Sequence, residues 1–384
     1  MPKFPTKLQQ KIDERIRNNA LRVLPGLSDR IDFSSNDYLG FSKASSIFSE
    51  AGAILERTVS QSNGATGSRL ISGNHKLYGK VEALLCDFHN IEASVVFNSG
   101  YDANIGLFSS VPQRGDVILY DEFIHASIRD GIQMSNARAY KFKHNDLENL
   151  EMLMGKNVDG VKEVYVVTES VFSMDGDAPD LKKMLEIVER SDARLIIDEA
   201  HALGVIGENG AGMSQYLGLE SRVFARVVTF GKAMGCHGAA VLGSSELITY
   251  LLNFARSLIY TTALPPHSLA TILASYGKLK SLGAGDSQLL KLLNNIAFFK
   301  SEVLHKGLKE HFIDSDSAIQ CCVIPGNDKV KLIAAQLQEK GFGVKAILSP
   351  TVPAGEERLR FCLHSYNSTV EISEVLGLLA TFVI

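Results

Sequence analysis

A lysine set among small residues is the first candidate for chemistry in this sequence. Lys232 follows the apolar run RVVTF and a glycine, and it precedes Ala233, so its amine has little room to reach bulk water. Burial lowers the pKa of a lysine and makes its amine a nucleophile towards carbonyl groups. The pattern therefore indicates a lysine that forms a Schiff base, although a surface lysine in a turn would have the same sequence pattern.

An acid and a histidine follow a second apolar run. Asp198 ends RLIID, and His201 lies three residues later. A carboxylate at a buried strand end needs a cationic or hydrogen-bonding partner, and the protonated ring nitrogen of pyridoxal phosphate (PLP) would be one. A helix N-cap is the structural alternative. Asp-Glu-Ala-His also occurs in P-loop ATPases, but no segment here matches their phosphate-binding motif GxxxxGK[ST].

Polar residues at other strand ends could complete such a site. Gly100 and Tyr101 open a predicted helix, whose free N–H groups would suit a phosphate. The Thr229 hydroxyl could join them, and the flat imidazole of His125 could lie against a planar heterocycle. An ordinary strand–helix turn and a solvent-facing loop histidine are the alternatives. Serine-hydrolase and metal-site motifs (GxSxG, HExxH) do not occur in the sequence.

A parallel sheet is the element that must position these residues. Six short apolar runs are continuous rather than alternating, which is typical of strands buried on both faces. Helix-like segments between them predict right-handed crossovers and a mostly parallel α/β sheet, with ligands beyond the carboxyl ends of its strands. The runs are ASVVF (93–97), DVILY (116–120), EVYVVT (163–168), RLIID (194–198), RVVTF (226–230) and AAVLG (239–243).

Three segments are predicted along the chain. Residues 1–45 form an N-terminal segment, with a helix over 7–22 and a strand near 31; residues 46–270 form a large domain. Residues 271–384 form a small α+β domain of two strands and three helices. Its last helix is predicted to begin with a capping box of Ser368 and Glu371.

Composition and charge narrow the class of protein. The 384 residues are 45% hydrophobic with a net charge of −4, which is ordinary for a soluble globular protein. The absence of a lysine–arginine block gives no support to a nucleic-acid or membrane partner. Five cysteines without a CxxC pair indicate reduced thiols, and the first residues lack the apolar core of a signal peptide. The expected location is therefore the cytoplasm.

Nine motifs together resemble one enzyme family. The chain is similar to the α-oxoamine synthases, which are PLP-dependent enzymes of fold type I, the aspartate-aminotransferase-like fold. The resemblance implies that fold, with a smaller C-terminal domain, and PLP as cofactor. The motifs are FSSNDYLG, GATGSRLISGNHKLYGKVEALL, FNSGYDAN, DEFIHASIRDG, ESVFSMDGD, IIDEAHALGV, TFGKAMGCHGAA, YTTALPP and PTVPAGEERLRF.

The resemblance also implies a role for each matching residue. Lys232 would carry the cofactor, Asp198 would pair with its ring nitrogen, and His125 would stack on its ring. The remaining roles are Ser173 and His201 at the ring oxygen, Gly100, Tyr101 and Thr229 at the phosphate, Thr262 at the phosphate of a homodimer partner, Asn36 and Arg360 at the amino-acid carboxylate, and Arg22 near the acyl substrate. His125 would also donate a hydrogen bond to the thioester carbonyl.

The implied activity is a decarboxylative condensation of an amino acid with an acyl thioester. The motifs most resemble the branch that joins L-alanine to a pimeloyl group, carried on coenzyme A or acyl-carrier protein, in biotin biosynthesis. Glycine C-acetyltransferase and a serine palmitoyltransferase-like enzyme are the alternatives within the family. Leu348 stands where similar synthases of that branch have an arginine, which bears on recognition of the far end of the acyl chain.

Overall fold

The computed structural model describes residues 3–24, 26, 29–60, 62–157, 162–207, 209–282 and 287–383. These residues divide into two compact units. The large unit comprises Asn36–Ser173 and Ala178–Lys291; the small unit comprises the chain up to Ser35, Met174–Asp177 and the chain from Leu292 onwards. Within the described ranges, no helix is both long enough and apolar enough to cross a membrane.

A seven-stranded sheet forms the centre of the large unit, with strand order β2-β8-β7-β6-β5-β3-β4. β8 pairs antiparallel with both its neighbours, and the other pairings are parallel. This confirms the predicted mostly parallel sheet. The strands are β2 (Ala93–Phe97), β3 (Val117–Asp121), β4 (Arg138–Phe142), β5 (Val164–Glu169), β6 (Arg194–Asp198), β7 (Ala225–Thr229) and β8 (Ala239–Gly243).

Helices cover both faces of this sheet. Successive side chains of a strand point to opposite faces, so each central strand contributes to a buried cluster on either side. Val167 and Ile196 belong to one buried cluster, whereas Val166 and Leu195 belong to another. The helices of the large unit are α2 (Ser45–Thr58), α3 (Lys76–His89), α4 (Gly100–Ser110), α5 (Ala126–Met134), α6 (Leu147–Asn157), α7 (Leu181–Arg190), α8 (Met213–Tyr216), α9 (Ser245–Phe254), α10 (Arg256–Ile259) and α11 (Pro266–Lys280).

Strand β4 was not among the predicted runs. It lies at the edge of the sheet, and its residues RAYKF leave Arg138 and Lys141 exposed. An edge strand has one neighbour and a solvated side, so its sequence lacks the continuous apolar pattern of the central strands. The strand therefore depends on pairing with β3 rather than on its own hydrophobicity.

The small unit combines short strands with long helices. β9 (Ile319–Val323), β11 (Lys345–Ile347) and β12 (Arg358–Cys362) form an antiparallel sheet of order β11-β12-β9. β1 (Ile31–Asp32) pairs in parallel with β10 (Phe342–Gly343). The helices are α1 (Thr6–Arg17), α12 (Gln288–His305), which begins in the large unit, α13 (Asn327–Glu339) and α14 (Thr369–Val383).

Details of the small unit confirm one local prediction and correct another. The Ser368 N–H donates to Glu371 Oε2 at 2.7 Å, and the Glu371 N–H donates to Ser368 Oγ at 3.2 Å, so the capping box before α14 is present. Helix α1 ends at Arg17 rather than at residue 22. Asn19 has a φ of 48°, a left-handed conformation that stops a helix.

The two units do not coincide with the three predicted segments. The boundaries fall after Ser35 and after Lys291 instead of after residues 45 and 270. Helices α2 and α3 pack against α11, which keeps the chain up to Lys280 in the large unit. Packing between helices distant in sequence thus sets the boundary, and no local composition change marks it.

Candidate active site

A cavity of about 150 Å³ opens at the carboxyl ends of β2, β5, β6 and β7 in the large unit. Parallel strands bring these ends to one edge of the sheet, which is where ligands bind in such folds. The lining residues are Gly100, Tyr101, Asn104, His125, Ser127, Glu169, Asp198, Ala200, His201, Thr229 and Lys232. The seven predicted residues Gly100, Tyr101, His125, Asp198, His201, Thr229 and Lys232 are therefore together.

Lys232 is half-buried, and its Nζ lies 2.7 Å from His201 Nε2. The other ring nitrogen, Nδ1, lies 2.7 Å from the Tyr38 hydroxyl, which is fully buried. Tyr38 donates in turn to Asn36 Oδ1 at 3.2 Å. When it does so, its oxygen accepts from His201 Nδ1, and Nε2 is left to accept from the lysine amine. The imidazole is thus placed to exchange a proton with Lys232.

Asp198 is held by donors on both carboxylate oxygens. The Ala200 N–H donates to Oδ1 at 2.9 Å, and Asn104 Nδ2 donates to Oδ2 at 2.9 Å. Asn104 reaches it from the first turns of α4, because that helix starts directly after β2. Hydrogen bonds to a carboxylate stabilise its ionised form, so Asp198 offers a buried negative charge to a cationic group in the cavity.

His125 begins helix α5 and caps it with its own ring. Nδ1 accepts from the Ser127 N–H at 3.2 Å, so in the neutral imidazole the proton is on Nε2. Desolvation of the ring by the surrounding protein lowers the pKa of His125, although the residue as a whole is solvent-exposed. The Lys232 charge lowers this pKa further. The Asp198 charge opposes this shift. A neutral ring that presents an N–H suits both stacking and donation.

The start of α4 and the end of β7 lie against each other. A Cβ on Gly100 would stand 2.6 Å from Thr229 Oγ1, so only glycine allows this approach. The N–H groups of Gly100 and Tyr101 belong to the first turn of α4, where the helix itself offers them no carbonyl acceptor, next to the threonine hydroxyl. This donor set fits a phosphate, Lys232 fits a carbonyl, and Asp198 fits a protonated ring nitrogen. The residues present therefore fit PLP.

Three other predicted residues lie in the large unit but do not line the cavity. Ser173 is buried in the segment after β5. Asn36 contacts the cavity residues through Tyr38, as described above. Thr262 is exposed, and its carbonyl accepts from Asn98 Nδ2 at 2.8 Å just beyond β2. The assigned roles of these residues stay predictions.

Two predicted residues belong to the small unit. Arg360 of β12 is buried, and its Nη1 donates to Cys362 Sγ at 2.8 Å. Arg22 is near Thr351, with 3.4 Å between Nη2 and Oγ1. Arg358, which shares a strand face with Arg360, is already paired with the carboxylate of Asp175. The assignment of Arg360 to the carboxylate of the amino acid stays a prediction.

Sequence reasoning missed three residues that shape the cavity. Glu169 is the last residue of an apolar strand, as Asp198 is, so its position was a usable signal. Asn104 and Tyr38 lie in the motifs FNSGYDAN and FSSNDYLG, but neither ends an apolar run, so the argument from strand ends did not select them. They became recognisable when the fold placed them against Asp198 and His201.

Comparison with known proteins identifies the family. The model for "Aminotransferase class I and II" matches residues 28–377, which is most of the chain. The chain belongs to this aminotransferase family. It is 40% identical over 390 aligned residues to the 8-amino-7-oxononanoate synthase of Emericella nidulans, covering 96% of this chain and 93% of that protein.

Solved structures of similar enzymes share the fold. A serine palmitoyltransferase from S. paucimobilis, with PLP and myriocin bound, matches with a TM-score of 0.86 at 26% identity, covering 98% of this chain and 96% of that one. An 8-amino-7-oxononanoate synthase from Francisella tularensis matches with a TM-score of 0.76 at 30% identity, covering 92% and 97%. The predicted fold type and the resemblance to α-oxoamine synthases are confirmed.

These findings make the chain a PLP-dependent enzyme of this family. The names of its curated relatives support a role in biotin biosynthesis.

Proposed function

We propose that this enzyme condenses L-alanine with a pimeloyl thioester. The alanine Cα loses its proton and forms a bond to the thioester carbonyl carbon, and the thiol leaves. The alanine carboxylate then departs as CO2, and the same carbon takes up a proton. The product is 8-amino-7-oxononanoate, and no oxidant or reductant is needed. The single observation that carries the choice of substrates is the 40% identity, over nearly the whole chain, to a relative of that name.

The cavity residues supply the acid–base chemistry. PLP, when bound, withdraws electrons from the α carbon of an amino acid and so stabilises a carbanion there. Asp198, ionised between Ala200 and Asn104, would hold a proton on the ring nitrogen of the cofactor. Lys232 would carry the cofactor at rest and afterwards accept the proton from the alanine Cα. His201, 2.7 Å from the amine, can take up or return a proton.

His125 would serve the acyl substrate. Its neutral ring carries the proton on Nε2, because Nδ1 accepts from Ser127. An N–H directed at the thioester carbonyl would stabilise the negative charge that develops on the oxygen during attack. The first turn of α4 and Thr229 would bind the phosphate, with Thr262 contacting the phosphate site of a second subunit, in a homodimer.

Arg360 is the proposed ligand of the amino-acid carboxylate, together with Asn36. An arginine suits this task because its planar guanidinium can donate two parallel hydrogen bonds. Arg358 has an alternative task, since it is buried and paired with Asp175. Arg360→Ala should therefore raise the KM for alanine far more than that for the acyl thioester, whereas Arg358→Ala should lower stability.

We propose that the far end of the acyl chain of the thioester substrate is neutral. Leu348 is half-buried and cannot pair with a terminal carboxylate, and burying a lone carboxylate against it would be costly. A pimeloyl methyl ester on acyl-carrier protein should then react better than free-acid pimeloyl-CoA. Arg22 and Lys345 are the two cations that would reverse this preference, and loss of a free-acid preference in either alanine variant would identify which one acts.

A second candidate function has support from structure. The serine palmitoyltransferases match this chain with higher TM-scores than the Francisella synthase does, at 0.86 against 0.76. An apolar Leu348 also suits a long acyl chain. A serine palmitoyltransferase-like activity is therefore the alternative, followed by glycine C-acetyltransferase.

A substrate panel separates these functions. The purified holoenzyme is offered alanine, glycine and serine against pimeloyl, acetyl and palmitoyl thioesters, on both coenzyme A and acyl-carrier protein, and kcat/KM is measured for each pair. The proposal requires the highest value for alanine with a pimeloyl donor. A maximum for serine with palmitoyl, or glycine with acetyl, would replace it. A cytoplasmic location belongs to the same proposal.

A further inference from the structure

We infer that Glu169 remains a neutral carboxylic acid and acts as a positioning residue for His125. This inference deepens the proposed function and depends on it for the role of His125. Glu169 is the first residue of the motif ESVFSMDGD, but none of the roles assigned above falls on it. Its side chain lines the cavity and is almost fully buried, with 3% of its surface exposed.

Glu169 and Asp198 end neighbouring parallel strands at the same level. They are register partners of β5 and β6, so their backbones are about 4.8 Å apart and their side chains point to the same side of the sheet. Both residues line the cavity and both are buried. Two carboxyl groups on adjacent strand ends in one buried cavity cannot both ionise at low cost. One of the two must retain a proton.

The hydrogen bonds decide which carboxyl carries the charge. Asp198 accepts from the Ala200 N–H and from Asn104 Nδ2, one donor on each oxygen. Glu169 accepts the His125 N–H on Oε1. Desolvation raises the pKa of Glu169 well above its usual value, and the Asp198 charge raises it further.

Other charged groups around Glu169 act in both directions. Lys232 and the His125 N–H lower its pKa, while Asp121 raises it. Burial and the two acids outweigh the single amine, so the proton stays on Glu169. The arrangement then carries one negative charge opposite Lys232, at Asp198.

The neutral acid fixes the start of helix α5. Oε1 accepts from the His125 N–H at 2.5 Å, and the ring of the same residue accepts from the Ser127 N–H. These two contacts fix the backbone and the imidazole of His125 together. Because a small misplacement of a catalytic group can cost about 10²-fold in rate, a residue that holds His125 would matter for turnover without touching the acyl group itself.

Two variants test the inference. Glu169→Gln keeps the shape and the accepting oxygen and is neutral, whereas Glu169→Ala removes the contact with His125. Glu163→Gln is the matched control, since Glu163 lies just before the same strand and forms a partly exposed ion pair with Arg194. For each holoenzyme we would record the pH titration of the bound-cofactor absorbance, the rate of PLP release, the melting temperature, and kcat/KM.

Glu169→Gln should titrate at the pH of the wild type and keep kcat/KM within about threefold. Glu169→Ala should lose roughly 10- to 100-fold in kcat/KM. A shift of the absorbance midpoint by about one pH unit or more in Glu169→Gln, absent in Glu163→Gln, would show that Glu169 is charged and overturn the inference. Wild-type kcat/KM in Glu169→Ala would also overturn it.

If Glu169→Ala does not fold, the absorbance titration of Glu169→Gln decides alone. That titration uses no acyl substrate, so it distinguishes failure of this inference from failure of the proposed reaction. If Glu169→Gln titrates like the wild type but the enzyme transfers no pimeloyl group, the inference of a neutral Glu169 stands. The proposed acyl donor would then be wrong.

Discussion

Two polar clusters in the large unit contain the same chemical groups in different surroundings. Each has a cation, a carboxyl group and a tyrosine–histidine pair. The cavity cluster is Tyr38, Asp198, His201 and Lys232; the core cluster is His89, Glu199, Arg226 and Tyr276. Asp198 and Glu199 are adjacent in the chain, yet their carboxyl groups belong to different clusters.

The two tyrosine–histidine pairs differ in the cation that contacts the histidine. In the core, His89 Nε2 lies 2.9 Å from the Tyr276 hydroxyl, and the His89 carbonyl accepts from Arg226 Nη2. Burial and the arginine charge lower the pKa of His89 to about 3, so it stays neutral at physiological pH. In the cavity, His201 has Lys232 at its second nitrogen.

The cations explain why we expect chemistry at the cavity cluster and not at the core cluster. Arg226 has 1% of its surface exposed, and a guanidinium keeps its proton under physiological conditions even when burial lowers its pKa. The amine of Lys232 can lose a proton and become a nucleophile. The same types of side chain therefore form a structural cluster around an arginine and, at the cavity, a cluster around a lysine that we expect to be reactive.

The largest effect is expected from Lys232→Ala. Without the amine there is no group to attach the cofactor covalently or to take the α proton, so turnover should be abolished. Borohydride reduction of the wild-type holoenzyme, followed by peptide mapping, should find the cofactor on Lys232. Finding it on any other lysine would break the assignment of the reactive cluster.

Asp198→Asn should keep the cofactor bound and reduce kcat by about 10²–10³-fold or more. An amide cannot supply the negative charge that holds a proton on the ring nitrogen, although it can still accept from Ala200. Steady-state kinetics with a measured cofactor content tests this. Activity within a few-fold of wild type would mean that the charge of Asp198 is not needed.

Arg226→Met should lower stability by about 1–3 kcal/mol, because it removes the donor to the His89 carbonyl and the positive charge that opposes the burial-raised pKa of Glu199. Urea unfolding measures the loss. At a temperature where the variant is folded, kcat should equal that of wild type. A large fall in kcat with unchanged stability would instead assign the core cluster a part in the chemistry.

His89→Gln should make the protein less sensitive to acid. A histidine in the unfolded chain binds a proton below about pH 6.5, whereas folded His89 does so only near 3. The unfolded state thus binds more protons in between, and stability falls as the pH decreases through that window. From pH 6 to 4, unfolding curves should show a shallower loss in the variant, by up to about 1.4 kcal/mol per pH unit. Equal slopes would contradict a neutral His89.

The smallest effect, and the most direct comparison, comes from two matched hydroxyl deletions. Tyr276→Phe should cost about 1 kcal/mol of stability and leave the cofactor absorbance unchanged. Tyr38→Phe should cost a similar amount but also alter the pH titration of that absorbance, since it removes the partner that orients His201. Identical absorbance titrations in both variants would show that the Tyr38 hydroxyl has no influence on the cavity.

The sheet was predictable because its central strands are buried on both faces. Runs such as RLIID and AAVLG coincide with β6 and β8 to the residue. The edge strand β4 was missed because its exposed Arg138 and Lys141 break the apolar pattern. The boundary at Lys291 was missed because it depends on the packing of α11 against α2 and α3.

The sequence by itself determined the family and the seven predicted residues that line the cavity, because each ends or follows a buried strand that its apolar run reveals. Only the tertiary structure decided that Asn104 holds Asp198, that Tyr38 meets His201, and that Glu169 stands beside Asp198. Tyr38 and His201 are 163 positions apart, and Asn104 and Asp198 are 94. Contacts at that separation depend on strand order and register. No local sequence pattern shows which residues will meet.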